Sequence, residues 1–168
     1  MATSVKAIAT VEVGAGGAAD IQFTSIPTDG TYTDLSIVAS LRSDYSGQGI
    51  ALRINPNGSG ANMTGRVLLG SGSSVSSFTD VIAYASSVAD TSTANTFGNV
   101  SWYIPNYASS NNKSISVDFV TETNATAAIM GLSAGLWSVS TAISSLSILT
   151  TVGNLKQYST ATLYGIKG

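Results

Sequence analysis

Apolar and polar residues alternate with a period of two along most of this chain, the spacing of β-strands that bury one face. Ile21 and Phe23 share one side of a short run. Leu35, Ile37, Ala39 and Leu41 share one side of a longer run whose other side carries Asp34, Ser36, Ser40 and Arg42. Ile50, Leu52 and Ile54 alternate with Ala51, Arg53 and Asn55. Val100, Trp102 and Ile104 alternate with Asn99, Ser101 and Tyr103, and Ile115, Val117 and Phe119 with Ser114, Ser116 and Asp118. Met130, Leu132, Ala134 and Leu136 make a further apolar row, and Leu146 and Ile148 a short one. Ala161, Leu163 and Gly165 close the series, with Tyr164 and Ile166 on the opposite side.

Turn-forming clusters separate these runs at Gly14–Gly17, Pro27–Gly30, Ser43–Gly49, Pro56–Gly60, Gly70–Ser77, Pro105–Asn112 and Gly153–Asn154. Their spacing predicts roughly eight to eleven short strands. One segment, Thr79–Ala89, has helical spacing, with Val81, Ile82, Ala85 and Ala89 on a shared face. Many short antiparallel strands in one chain of this size predict an all-β fold, an antiparallel β-sandwich or jelly roll. No composition break marks a second domain. Residues 7–168 read as a single sandwich, and residues 1–6, which lack turn signals, as a flexible N-terminal arm.

Composition sharpens the picture. Charged residues make up 10% of the 168 positions, against a norm of about 25%. Ser and Thr fill the gap at roughly a quarter of the chain, well above ordinary usage. Such a surface hydrogen-bonds water through short side chains and loses little rotamer entropy when a partner covers it. The net charge is −2 with no basic cluster, so nucleic-acid binding and polybasic membrane anchoring lack electrostatic support. Ala127–Leu149 is uncharged and apolar enough to raise the question of a membrane span, but serines and glycines interrupt it throughout. The N-terminus has no apolar stretch of signal-peptide length.

Candidate chemistry is sparse. The chain has no cysteine and no histidine, so thiol nucleophiles, thiolate metal sites and the commonest general base are absent. Gly14–Ala19 matches a dinucleotide-binding fingerprint, with Asp34 at the distance of a ribose-binding acid. That chemistry needs a helix straight after the glycines, whereas Asp20–Pro27 reads as a strand, so a glycine-rich hairpin loop is the expectation. The acids Glu12, Asp20, Asp29, Asp34, Asp44, Asp80, Asp90, Asp118 and Glu122 show no spacing of a glycosidase pair. Lys6, Lys113, Lys156 and Lys167 read as solvent-facing lysines. Trp102 and Trp137 are expected in the core and the tyrosines at its edge, with Tyr45, Tyr103, Tyr107, Tyr158 and Tyr164 as exposed anchors the alternative. The N-x-[ST] sequons at Asn57, Asn62, Asn99, Asn112 and Asn124 are what so Ser/Thr/Asn-rich a chain holds by chance. The expected function is therefore non-enzymatic: no catalytic, cofactor-binding or metal-binding residue is assigned. Loops Ser43–Gly49, Asn55–Thr64 and Tyr107–Lys113 are the candidate contact regions, because loops carry function on β scaffolds.

Several segments resemble small virion proteins of tailed bacteriophages, especially marine and cyanobacterial ones. They are Asp20–Pro27, Tyr32–Ser43, Ile50–Asn55, Gly135–Trp137, Ala142–Leu149 and Gln157–Lys167, the last with its Tyr-Ser-x-x-x-Leu-Tyr-Gly-Ile close. The resemblance implies a jelly-roll-like fold, a homotrimer and no enzymatic activity. It implies a place on the outer capsid surface of the virion after synthesis in the host cytoplasm, with the major capsid protein as partner. In that role the chain is a capsid decoration, or cement, protein. The alternative it implies is a tail-fibre or receptor-binding domain that meets other tail proteins or host-surface glycans. A glycoside-active enzyme on the same fold is the remaining expectation to test. Neither nucleic acid nor membrane is an expected partner.

Overall fold

The computed structural model describes residues 4–46, 50–124 and 128–168, with the side chains of residues 50–55 left out. Among the described residues the chain is all β, with twelve strands and no helix. In chain order they are β1 (Ser4–Glu12), β2 (Asp20–Phe23), β3 (Asp34–Leu41), β4 (Ile50–Pro56), β5 (Met63–Ser71) and β6 (Ser74–Asp80). There follow β7 (Ala85–Ser87), β8 (Gly98–Ile104), β9 (Lys113–Val120), β10 (Ile129–Trp137), β11 (Leu146–Thr150) and β12 (Thr160–Lys167).

The strands form two antiparallel layers. The larger sheet runs β1-β12-β3-β8-β9-β10-β5-β6, and the smaller runs β2-β11-β4-β7. From β2 onward the chain crosses repeatedly between layers: β2 small, β3 large, β4 small, β5–β6 large, β7 small, β8–β10 large, β11 small, β12 large. That alternation makes a jelly-roll-like sandwich rather than two stacked meanders. The core lies between the sheets. Leu35, Ile37, Leu41, Val100, Trp102, Ile104, Ile115, Val117, Phe119 and Leu163 meet Ile21, Phe23, Leu146 and Ile148 there. Each large side chain so buried stabilises the fold by about 1.5–3 kcal/mol relative to exposure. The period-two runs of β2, β3, β8, β9, β11 and β12 bury the side the sequence predicts, and both tryptophans are core residues. The facing of Ile50, Leu52 and Ile54 lies outside the described side chains.

Several expectations change. The arm over residues 1–6 is paired from Ser4 onward, because β1 bonds β12 from Ser4–Lys167 to Glu12–Thr160; residues 1–3 lie outside the described residues. Thr79–Ala89 is not helical: β6 ends at Asp80 and Ala85–Ser87 forms β7, so its small apolar residues enter the core as extended chain. Gly70–Ser77 is a hairpin rather than a loop, with a two-residue turn in which Gly72 adopts φ 56°, the left-handed conformation such turns require. Gly14–Ala19 is indeed a turn, closed by the Gly17 amide donating to the Gly14 carbonyl at 3.0 Å. It is not a hairpin, since it carries the chain from the large sheet to the small one.

The largest revision concerns β10. Met130, Leu132, Ala134 and Leu136 face outward, and Gly131, Ser133, Gly135 and Trp137 face the core. The glycines explain the inversion. A Cβ on Gly131 would collide with the Phe119 ring and come within 2.8 Å of the Leu68 carbonyl. A Cβ on Gly135 would lie 2.7 Å from the Ala83 Cβ. The inner side of β10 is already filled by its neighbours, so a strand without side chains there fits and one bearing Leu does not.

Candidate interaction surface

The outer face of the large sheet has two unlike halves. Pairing along the ladders sets the rows. On one side, Thr160, Thr162 and Tyr164 of β12 sit beside Ser40, Val38 and Ser36 of β3, which sit beside Asn99, Ser101 and Tyr103 of β8. On the other, Val120 of β9 lies next to Met130, then Gly70 and Val75; Asp118 lies next to Leu132, then Leu68 and Ser77. Ser116 lies next to Ala134, then Arg66 and Thr79, and Ser114 next to Leu136, then Thr64.

The second half is apolar and wet. Val75 is 77% exposed, Met130 62%, Leu132 60% and Leu68 51%. Four strands at ~4.8 Å and the rise from Met130 to Leu136 at ~3.4 Å per residue make a face of roughly 400 Å². Two shallow grooves cross it. One is lined by Arg66, Leu68, Leu132 and Ala134, the other by Gly70, Val75, Val120 and Met130. A face of this size matches the largest patch that a typical monomer exposes, and such patches are often functional. The charges on it are Arg66 and Asp118, on opposite sides of Leu132, with no ion-pair partner among the described residues.

The polar half is ordered by its own bonds. Tyr103 donates its hydroxyl to Asp34 Oδ2 at 2.7 Å, and Asp34 Oδ1 accepts the Asn106 amide at 2.9 Å. Asp34 lies one row along on β3 from Ser36, the residue paired with Tyr103, and Tyr103 is itself exposed. This bond to the carboxylate pushes the Tyr103 hydroxyl above its ordinary pKa. Tyr164 flanks Ser36 from the other side and is half-buried.

The predicted loops are largely fixed from within. Tyr107 is fully buried and donates its hydroxyl to the Pro27 carbonyl, and burial pushes its pKa up. Lys113, read as solvent-facing, is buried. Its Nζ donates to the carbonyls of Ser109 at 2.8 Å and Thr141 at 2.6 Å, and stands 5.7 Å from the centre of the Trp137 ring. Burial pulls its pKa below the ordinary lysine value. Arg42, expected on the polar side of its strand, is also buried; its guanidinium donates to the carbonyls of Asp90, Ser92, Thr93 and Thr96 and so shapes that loop. Asn57 clips Asn55–Thr64 to the β10–β11 connection, its Oδ1 accepting the Ser144 amide at 2.8 Å and its Nδ2 donating to Ala142. Within Ser43–Gly49, Asp44 accepts the Asn154 amide at 2.8 Å, and residues 47–49 lie outside the described residues. Tyr45 and Tyr158 are exposed rather than set at the edge of the core.

The acids serve local turns. Asp29 accepts the Thr31 amide, and the Thr31 side chain, then that amide, hold its pKa low; Asp80 accepts the Val81 amide, Glu122 the Asn124 amide, and Asp20 the Gln22 side chain. Asp90 pairs with Lys156, and that bond holds its pKa low. Among the described residues no three acidic side chains gather to hold a metal ion, and no helix is long and apolar enough to cross a membrane.

Sequence pattern missed the apolar surface because it assigns the large residues of β10 to the core. The available signal was Gly131 and Gly135 alternating with Ser133 ahead of Trp137, a row small enough to lie under neighbours. Compared with protein-family models and with curated proteins, the chain matches none.

Proposed function

We propose that this is a non-enzymatic structural protein of a virion, a capsid decoration protein that docks on the outer surface of a phage head and stabilises the shell. The observation that carries the docking reading is the exposed apolar half-face of Leu68, Val75, Val120, Met130, Leu132 and Leu136. The virion assignment rests on the resemblance of the segments quoted above. Covering such a face on an assembled shell, but not on loose subunits, stabilises the shell by mass action. Buried loop cations and a low-charge Ser/Thr surface suit a rigid body that adheres without ordering long side chains. The test is to add the purified protein to phage shells lacking it. The expected result is protein on the outer head surface and a higher shell melting temperature; protein found on the tail alone, or no association, rejects the reading.

A second reading, a tail-fibre or receptor-binding domain, is favoured by exposed Tyr103, held by its bond to Asp34 in the same row as Ser36 and Tyr164, since an exposed aromatic ring is a surface for stacking sugars. Glycan-array binding lost in Tyr103→Ala, with tail location, would select it.

A further inference from the structure

The two edges of the large sheet are built differently. β1, at one edge, carries Lys6 and a register shift between Ala7 and Ala9, both devices that discourage another strand from pairing. β6, at the other edge, has neither. It runs Ser-Val-Ser-Ser-Phe-Thr-Asp in unbroken register with β5, without proline or bulge, its one charge at the last residue. Its residues are exposed on both faces, apart from half-buried Asp80.

The free groups on β6 follow from the turn. A two-residue hairpin closes on a bonded pair, here Ser71 and Ser74, so bonded pairs recur at Leu69–Ser76, Val67–Phe78 and Gly65–Asp80. The N–H and C=O groups of Val75, Ser77 and Thr79 therefore point away from β5. We infer that this edge takes β6 of a second copy of the chain, antiparallel about a twofold axis at Ser77.

Register and charge both fit a second copy as the occupant. With Ser77 opposite Ser77, Val75 faces Thr79 of the other copy, and every free backbone group on the edge finds a partner in the bonded geometry. Asp80 falls opposite Ser74, so no like charges meet. A self-matched patch of this kind is what a twofold interface requires. The pairing also joins the two half-faces, which both end at β6, into one continuous platform. The inference stands whether or not the partner is a viral shell.

The test is the mass of the full chain in solution by sedimentation equilibrium. The expected species is a dimer. Ser77→Lys and Ser77→Glu each place like charges opposite across the axis and should weaken self-association about fivefold or more, while circular dichroism stays that of the native protein. Mixing the two variants should restore a dimer, because lysine then faces glutamate. A wild-type monomer at the highest soluble concentration would overturn the inference. So would a dimer or trimer that neither variant disturbs, or β6 amides protected from exchange only when a different protein is added.

Discussion

The two halves of the large sheet's outer face share one surface and differ in what lies beneath them. Under the polar half, β3, β8 and β12 send Leu35, Ile37, Trp102, Ile104 and Leu163 into the core and leave Ser, Thr, Asn and Tyr outside. Under the apolar half, β10 sends in two glycines and a serine ahead of Trp137 and leaves Met130, Leu132 and Leu136 outside. The space at Gly131 is taken by Phe119 and that at Gly135 by Ala83 and Ile115; Phe119 meets Tyr84 edge-on at 5.6 Å, and Tyr84 in turn meets Phe78 at 5.5 Å. An apolar exterior here is the counterpart of an inner side filled from its neighbours, and it is the one part of the sheet with a large surface left to cover.

The most damaging way to break this contrast is to empty the inner side of the apolar half. Phe119→Ala should cost about 3–5 kcal/mol in urea unfolding, the cavity effect of a buried aromatic. Filling it should hurt somewhat less: Gly131→Val forces a side chain against the Phe119 ring and should cost about 1–3 kcal/mol, with Met130→Val beside it nearly silent.

Below the polar half, Tyr107→Phe should cost about 1–2 kcal/mol by leaving the Pro27 carbonyl unpartnered. Its pH signature has a definite sign. Burial raises the pKa of Tyr107 and Tyr84 above 10.0, so above that pH the unfolded chain loses protons that the folded chain keeps. The tyrosine contribution should be constant below pH 10 and fall as pH rises past it, and the fall should be shallower in Tyr107→Phe. Lys113 acts in the opposite sense: its lowered pKa makes burial of the charge a cost that fades as pH rises towards 10.5.

The smallest stability effect should come from the residues that look most like core. Leu132→Ser and Met130→Ser should change unfolding free energy by no more than about 0.5 kcal/mol, yet abolish docking to the shell. A loss above 2 kcal/mol, on the order of a buried Leu truncation, would show that this face is covered within the chain itself. At acid pH the Lys156–Asp90 pair contributes stability present above pH 3.8 and lost as pH falls below it, so Lys156→Met should flatten that limb of the stability curve.

Much of the fold was legible because strand burial leaves a period-two trace. Leu35 to Leu41, Val100 to Ile104 and Ile115 to Phe119 bury the face their spacing names. β6 was not legible, since Ser74, Ser76 and Ser77 offer no apolar contrast and a strand exposed on both sides has no pattern to show. Lys113 and Arg42 were misread because charge predicts exposure unless partners are known, and their partners are backbone carbonyls, which every residue carries. The interaction surface was misread for the same reason in reverse: Leu132 looks like core until Phe119 is seen occupying the space beneath its strand.

Alternation, turn chemistry and the lack of cysteine, histidine and basic clusters determined by themselves an all-β chain with two tryptophans in its core. Which side of β10 faces inward, which edge strand is left unguarded and which cations are buried were decided only by tertiary structure. Periodicity records that two sides of a strand differ, whereas the choice between them depends on the volume left by neighbours distant in sequence.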